Sequence, residues 1–377
     1  MATVAEPISL RTLEARVDDA LERICHKLQL TATQYEAASQ SYGAICNWLD
    51  DPESPLHVYH PSLYPQGSVA LGTTVKPLKS DDYDVDVVCQ LEIDATHVTD
   101  PIDLLDLLEE RLKSNAVYDP LVERKNRCIR INYERNLHLD ILPARPDPAR
   151  PEPCLLVPDR DSNDWKASNP TGYIEWFKQR QKLVKINMIF DHAAPMPTQE
   201  PATEKHVLQL AVQLIKRWRD VYYAEHPELA PISIVLTTLV ARYYDGSQSL
   251  IDTLRRVAEK IMAAIPANGR LVVKNPANLD EDLSERWSDP DVYRSFADGM
   301  REFSSKVKQL QEASRLEDAA RLIQIMFGEI VTKSAFSDQY RELNEIKEKG
   351  GLRINLAGGL TTAATARPIA RHTFYGD

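Results

Sequence analysis

Tyr64-Pro-Gln-Gly-Ser-Val-Ala-Leu-Gly-Thr-Thr74, followed by Asp81-Asp-Tyr-Asp-Val-Asp-Val-Val-Cys-Gln-Leu91, decides how this chain is read. The first run has the residues of a small turn, and the second those of a strand with acidic residues at alternating positions. Side chains at i and i+2 of a strand share a face. Asp84 and Asp86 therefore project together, while Val85, Val87 and Leu91 turn into a core. Two carboxylates side by side repel unless a cation lies between them. Hard divalent ions such as Mg²⁺ take oxygen ligands, and in pairs they serve phosphoryl transfer. The Gly67-Ser68 turn can offer backbone N–H groups and a hydroxyl to phosphate oxygens. The stretch points to a metal-dependent transferase acting on nucleoside triphosphates. Its bland reading is a solvated strand face beside an ordinary tight turn. Asp81 and Asp82 read as a solvated turn, although Asp82 shares the parity of the pair and leaves a register shifted by two open.

The 377 residues suffice for one large domain or two lobes. Lys and Arg number 45 against 56 Asp and Glu, a net charge of −11, which disfavours general affinity for duplex nucleic acid. A local basic pocket for a triphosphate is not excluded by it. The five cysteines, Cys25, Cys46, Cys89, Cys128 and Cys154, are scattered and form no C-x-x-C pair. That suits reduced thiols rather than a disulfide framework or a zinc site. With no signal-like N-terminus and no apolar run of about 18 residues, a cytoplasmic protein is expected.

Helical periodicity marks Leu10, Leu13, Val17, Leu21 and Ile24, and again residues 35–49 behind a cap at Thr31 or Thr33. Residues 100–112 form an amphipathic helix with acidic residues in its first turn. Residues 128–133 and 137–142 alternate as two strands of a hairpin around residues 134–136. Prolines and polar residues in 143–170 predict a long loop, and 172–185 a helix. Residues 191–201 are the expected connector between lobes. The second half reads as helix at 206–223, 231–242 (with Pro231 at or near the first position) and 249–265. A polar segment follows at 275–287, then one or two helices over 289–327, and a tail of little periodicity at 366–377.

Asp140 lies in Leu137-His-Leu-Asp-Ile-Leu142, opposite an apolar face. An unpaired carboxylate in an apolar strand is costly to bury, so a cation or solvent must meet it. Beside the first pair it completes a three-carboxylate site and can accept the proton of an attacking hydroxyl. The bland alternative is a surface Asp on an edge strand. Lys216 and Ser233 lie on separate apolar helices. A lysine beside a core stripe usually snorkels to water, but if the helices pack together the two can converge on a triphosphate. Arg217 is expected to be solvated or salt-bridged. Asn169, Asn275 and Asn278, with Trp165, Tyr173 and Trp287, are candidates for base recognition and stacking, each being structural on its bland reading.

Gly67-Ser68, then Asp84-Val-Asp86-Val, then Asp140 on a later strand resemble the polymerase-β-type nucleotidyltransferase signature. The continuation Val-Val-Cys-Gln-Leu91 favours Asp84 and Asp86 as the pair. Tyr64-Pro-Gln-Gly-Ser68, Lys216-Arg-Trp218, Pro231-Ile-Ser-Ile-Val-Leu-Thr-Thr238 and Asn275-Pro-Ala-Asn278 leading to Arg286-Trp287 narrow the resemblance. They are similar to bacterial cGAS/DncV-like nucleotidyltransferases (CD-NTases), over residues 31–310.

The resemblance implies an α+β, bilobed polymerase-β-like core, a mixed sheet with flanking helices, plus a C-terminal helical lobe. Residues 1–195 would form the core with an N-terminal spine helix, 196–345 the lobe, and 346–377 a tail. It also implies an enzyme that joins nucleoside triphosphates, ATP among them, into a cyclic di- or trinucleotide second messenger of antiphage defence, releasing pyrophosphate. Asp84, Asp86 and Asp140 would be the catalytic metal ligands for two Mg²⁺ ions, with Mn²⁺ as an alternative. Gln66, Gly67, Ser68, Lys216, Ser233, Asn169 and Asn275 would contact nucleotides. The zinc-binding insertion of the animal DNA sensor has no counterpart in the sequence, so activation by duplex DNA is not expected. The ending His372-Thr-Phe-Tyr-Gly-Asp377 resembles tails conjugated by a ubiquitin-transfer-like ligase, which implies partner proteins. The alternatives are a linear oligonucleotide synthase or RNA-tailing enzyme on the same core, and a catalytically inert nucleotide-binding scaffold.

Overall fold

The computed structural model describes residues 12–78, 83–94, 98–133, 137–181 and 194–349, with three short strands beyond them. Leu10, Asp81, Asp82, the 134–136 turn, residues 182–185 of the expected 172–185 helix, residues 191–193 of the connector and the 372–377 ending fall outside the described residues.

The chain opens with two helices. In α1 (Leu13–Leu28), capped by Thr12, Val17, Leu21 and Ile24 are buried on one face, as their spacing predicts. Thr31 and Gln34 then close a reciprocal capping box at the start of α2 (Ala32–Leu49). Strand β1 (Ser62–Pro65) leads into the one-turn helix α3 (Gly67–Ala70) and on to β2 (Tyr83–Gln90). α4 (Pro101–Lys113) starts at an Asp100 cap and lays Leu104, Leu105, Leu108 and Leu112 on the sheet, in one core with α2. β3 (Val122–Arg124), β4 (Ile129–Asn132) and β5 (Leu137–Pro146) complete the sheet in the order β1-β2-β5-β4-β3. β4 and β5 are the expected antiparallel hairpin, while β2 and β5 run parallel.

The long loop expected over 143–170 is instead largely strand. β5 continues to Pro146, and β6 (Leu155–Asp159) pairs with it and with β7 (Asp164–Ser168). Prolines hide this; Pro143 lies within β5 beside Cys89 of β2, while two others lie where a missing N–H is tolerated. Pro146 ends its strand, and Pro158 stands beyond the two residues of β6 that pair with β5.

α5 (Pro170–Arg180) is followed by the helical cluster: α6 (Val207–Tyr222), α7 (Ser233–Tyr243), α8 (Leu250–Ala264), α9 (Pro290–Glu312), α10 (Leu316–Phe327) and α11 (Glu329–Glu348). α1 and α5 share the buried core of these helices. The polar 275–287 segment holds a small hairpin, β8 (Lys274–Asn275) with β9 (Asn278–Asp282). Arg217 departs from its expected solvated position. It is buried, and its Nε donates to the Phe327 carbonyl at 3.0 Å, tying α6 to the end of α10. α11 extends past residue 345, where the tail was expected to begin. The segments 353–354, 360–361 and 367–368 form a separate three-stranded sheet, β10 to β12. Among the described residues no helix is long and apolar enough to cross a membrane.

Candidate active site

The parallel register of β2 and β5 places Asp86 directly beside Asp140 and Asp84 beside His138. Val85, Val87, Leu139 and Ile141 are fully buried behind them, so the core fixes which face the acids take. Slipping either strand by one residue would turn its acidic side chains inward and expose two of these aliphatic side chains.

The acids differ in surroundings. The Asp84 side chain is 54% exposed and that of Asp140 only 16%. Asp86 stands on the floor of the cleft, where burial, then Asp140 and Asp84, push its carboxyl up to about 7 against the pull of Lys216 and Arg130. Arg130, the cross-strand partner of Asp140 on β4, donates through Nε and Nη2 to both Asp140 oxygens at 2.7 Å. Its Nη2 also lies 3.2 Å from Asp84. The hydrogen bond to Asp140 leads in holding this guanidinium charged, far above any working pH.

α3 supplies the near wall. Gly67 has φ +59°, and a Cβ there would collide with the Asp86 carboxylate, so only glycine lets the turn pass this close. The Ser68 hydroxyl lies 3.5 Å from that of Thr74. The loop after α3 is stitched to α6 by side chains about one turn apart. Gln209 donates to the Leu71 carbonyl at 3.0 Å, Gln213 to Thr74 at 2.8 Å, and Lys216 to both oxygens of Thr73 at 3.2 Å. Lys216 is thereby fixed in the cleft wall, 7% exposed. Burial first, then Arg219, lower its ammonium to about 8.

Helix α7 faces the same cleft with its N-terminus. It starts at Ser233, not at Pro231, and Ile232 gives it no side-chain cap. No side chain caps its first turn, where the Val235 N–H donates to the Ile232 carbonyl at 3.1 Å, and a helix N-terminus of this kind is a favourable place for an anion. The Ser233 hydroxyl accepts from Arg219 Nη1 at 2.5 Å, while Arg219 also pairs with Asp220.

A cavity of about 550 Å³ joins these parts. It is lined by Gln66, Gly67, Ser68, Asp84, Asp86, Lys216 and Ser233, and also by Asn169, Tyr173 and Asn275. Asn169 caps α5 through Gly172 N and donates to the Ala277 carbonyl, and Asn275 holds Ala277 N and Glu281. Their amides are thus engaged within the protein. Trp165, Trp287 and Asn278 are not among the cleft's lining residues, contrary to expectation, and Asp140 stands behind the lining beside Asp86. Trp165 carries the Arg145 guanidinium on its ring, and Trp287 stacks on Phe296 in the helical core. Arg130, Arg219, Asp220 and Glu281 were not anticipated. Arg219 and Asp220 follow Lys216 on the next turn of α6, the one signal that could have marked them.

Oxygen-only donors, and a turn that only glycine can make beside Asp86, fit hard divalent cations. Among the described residues no three acidic, His or Cys side chains converge around one point, and both Asp140 oxygens accept from Arg130.

Residues 16–181 match the Second Messenger Oligonucleotide or Dinucleotide Synthetase domain family. The chain is 31% identical over 373 residues to a c-di-GMP synthase of Roseivirga ehrenbergii, covering 97% of this chain and 98% of the relative. It belongs to the bacterial CD-NTase family. The cyclic dinucleotide synthase CdnG of Bradyrhizobium diazoefficiens is 26% identical, over 96% of this chain and 95% of CdnG. The structure of that CD-NTase in complex with GTP superposes with a TM-score of 0.72, at 25% identity, over 86% of this chain and 98% of the other. Escherichia coli DncV, in its 3′-deoxy GTP bound form, shares the fold with a TM-score of 0.54 at 18% identity, over 86% of this chain and 88% of DncV. The chain is accordingly a nucleotidyltransferase of the cyclic-oligonucleotide-synthesising kind, with the mixed sheet and flanking helices that the sequence motifs imply.

Proposed function

We propose that this CD-NTase joins two nucleoside triphosphates into a cyclic dinucleotide in a Mg²⁺-dependent reaction, as a cytoplasmic signal in antiphage defence. The observation that carries the reading is the register pairing of Asp86 with Asp140, with Gly67 against Asp86 and the Lys216 and Ser233 wall in the same cleft. The full-length similarity to two cyclic dinucleotide synthases supports the product class.

In the proposed reaction a ribose 2′- or 3′-hydroxyl attacks the α-phosphorus of the donor. A P–O bond forms, the α–β anhydride bond breaks, and pyrophosphate leaves. A second round on the linear intermediate closes the ring. Asp140, beside the acceptor, takes the hydroxyl proton. Lys216, Arg219, the Ser233 hydroxyl and the N-terminus of α7 hold the triphosphate, and Ser68 with the α3 backbone orients it from the other side. Asp84, Asp86 and Asp140 would hold two Mg²⁺ ions, whose charge acidifies the attacking hydroxyl and offsets charge on the phosphates. Orientation and electrostatics are the protein's main contributions.

The test is incubation of the full chain with radiolabelled triphosphates and Mg²⁺, then phosphatase treatment and chromatography. A phosphatase-resistant dinucleotide supports the reading. A phosphatase-sensitive ladder would indicate linear polymerisation. Triphosphate binding without any product would indicate a scaffold.

A further inference from the structure

The β8–β9 hairpin brings Glu281 to the nucleotide cleft. The groups that shift Asp86 are Asp140, Asp84, Lys216 and Arg130, whereas Asn275, Arg127, Glu285 and Asn278 act on Glu281. Glu281 thus stands electrostatically apart from the three catalytic carboxylates. Burial is the leading influence on it and raises its carboxyl.

Its position is firmly built. Asn275 Nδ2 donates to Glu281 Oε2 at 2.7 Å, and the other end of that amide holds Ala277 N at 2.9 Å. The hairpin tip is pinned to the cap of α5 by Asn169 and to β7 by the bond from Asn278 to the Ala167 carbonyl at 3.0 Å. A carboxylate offers about four lone-pair sites, and the Asn275 amide meets one of them, with the Asn278 amide also acting on the group. Acceptor capacity is left on a half-buried carboxylate at the cleft wall, and a ligand in the cleft can meet it with donors.

We infer that Glu281 is a specificity-determining residue that reads the Watson–Crick edge of guanine in a bound nucleotide. This rests on the proposed use of triphosphates. Guanine alone among the four common bases presents two adjacent donors, N1–H and the 2-amino group, to an acceptor-only carboxylate. Adenine and cytosine each set one amino donor beside a ring-nitrogen acceptor, and uracil sets one N–H between two carbonyls. A half-buried carboxylate covered by any of these three bases keeps an unmet acceptor or meets another acceptor, which is the more costly kind of mismatch. Asn275 becomes a positioning residue that aims Glu281.

The experiment compares GTP, ITP (which lacks the 2-amino group), N1-methyl-GTP and ATP on the full chain. It reads incorporation and the shift in melting temperature on binding. Wild-type protein is expected to favour GTP over ITP by roughly tenfold and over N1-methyl-GTP by roughly a hundredfold, in line with losing one or two charge-assisted hydrogen bonds. Glu281→Gln should lower kcat/KM for GTP about a hundredfold, leave ATP within about threefold, and bring the GTP-to-ITP ratio near one. Glu281→Asp should restore part of the preference. The wild-type analogue series stands even if the glutamine variant misfolds. Equal losses for GTP and ATP in a folded variant, or indifference of wild type to N1-methylation, would overturn the assignment while leaving the proposed function intact. Wild-type protein that neither binds nor consumes any triphosphate would overturn both.

Discussion

Arg130 grips both oxygens of Asp140 at 2.7 Å and reaches Asp84 at 3.2 Å, so a guanidinium bridges two of the three acids expected to hold metal. The pair arises from cross-strand register, since Arg130 and Asp140 are direct partners on β4 and β5. Arg130 serves as a counter-cation for the acids, and a divalent ion that engages Asp140 must share or displace it.

Replacing Arg130 with Gln removes that competitor and leaves the acids to repel one another. Without metal, Arg130→Gln is expected to lose about 1–2 kcal/mol, since the pair is only partly exposed. The melting temperature should fall by a few degrees. Mn²⁺ affinity, read by electron paramagnetic resonance on titration, should rise severalfold. Unchanged or weaker Mn²⁺ binding would show that Arg130 does not compete.

The Asp86 carboxyl, raised from 3.8 to about 7 chiefly by burial, sets a pH dependence. The folded state holds this proton more tightly than the unfolded chain. Its contribution to metal-free stability is therefore present at low pH and lost as pH rises from about 4 through 7. A cation must displace the same proton. The Mg²⁺-induced rise in melting temperature should accordingly be larger at pH 8 than at pH 6, and equal shifts would contradict the assignment.

Lys216, lowered to about 8 by burial and Arg219, is partly neutral at that pH in the free protein. A bound triphosphate favours its charged form, so binding should take up protons near pH 8 and cease to do so near pH 6.5. Calorimetry in buffers of different ionisation enthalpy measures this uptake. Lys216→Ala should weaken triphosphate binding by about 10- to 100-fold, the worth of a charge-assisted hydrogen bond.

Gly67→Ala places a methyl group against Asp86 at a left-handed backbone position. The conformational part costs about 1–3 kcal/mol, so the protein should still fold. Synthesis should fall at least about a hundredfold, because displacing a reacting group by about 1 Å is that damaging. A folded Gly67→Ala variant with normal turnover would remove the turn from the account.

Strands β2, β4 and β5 and the acids were readable in the sequence because a strand's two-residue period is short and Asp84, Asp86 and Asp140 each alternate with aliphatic residues, whereas β1 and β3 are too short to show it. The helices α1, α2, α4, α6 and α8 were readable from their apolar stripes and caps. Arg130 was not, since Ile-Arg-Ile-Asn is an ordinary strand pattern and only pairing puts the arginine on Asp140. Glu281 was hidden among Asp280, Asp282 and Glu285 until the hairpin turned it to the cleft. Trp165 and Trp287 misled because an indole serves a cation or a core as readily as a base. Strands β6 and β7 were masked by prolines that lie at strand ends or unpaired edges.

The central claim is that Asp84, Asp86 and Asp140 form the catalytic centre of a cyclic dinucleotide synthase. The most direct measurement is product formation by the Asp84→Asn, Asp86→Asn double variant beside the wild type, with labelled GTP and ATP, Mg²⁺ and phosphatase treatment. The account expects a phosphatase-resistant dinucleotide from the wild type and none from the variant, whose melting temperature is retained or raised by the loss of repulsion. The same product from the double variant, or only a phosphatase-sensitive ladder from the wild type, would contradict it.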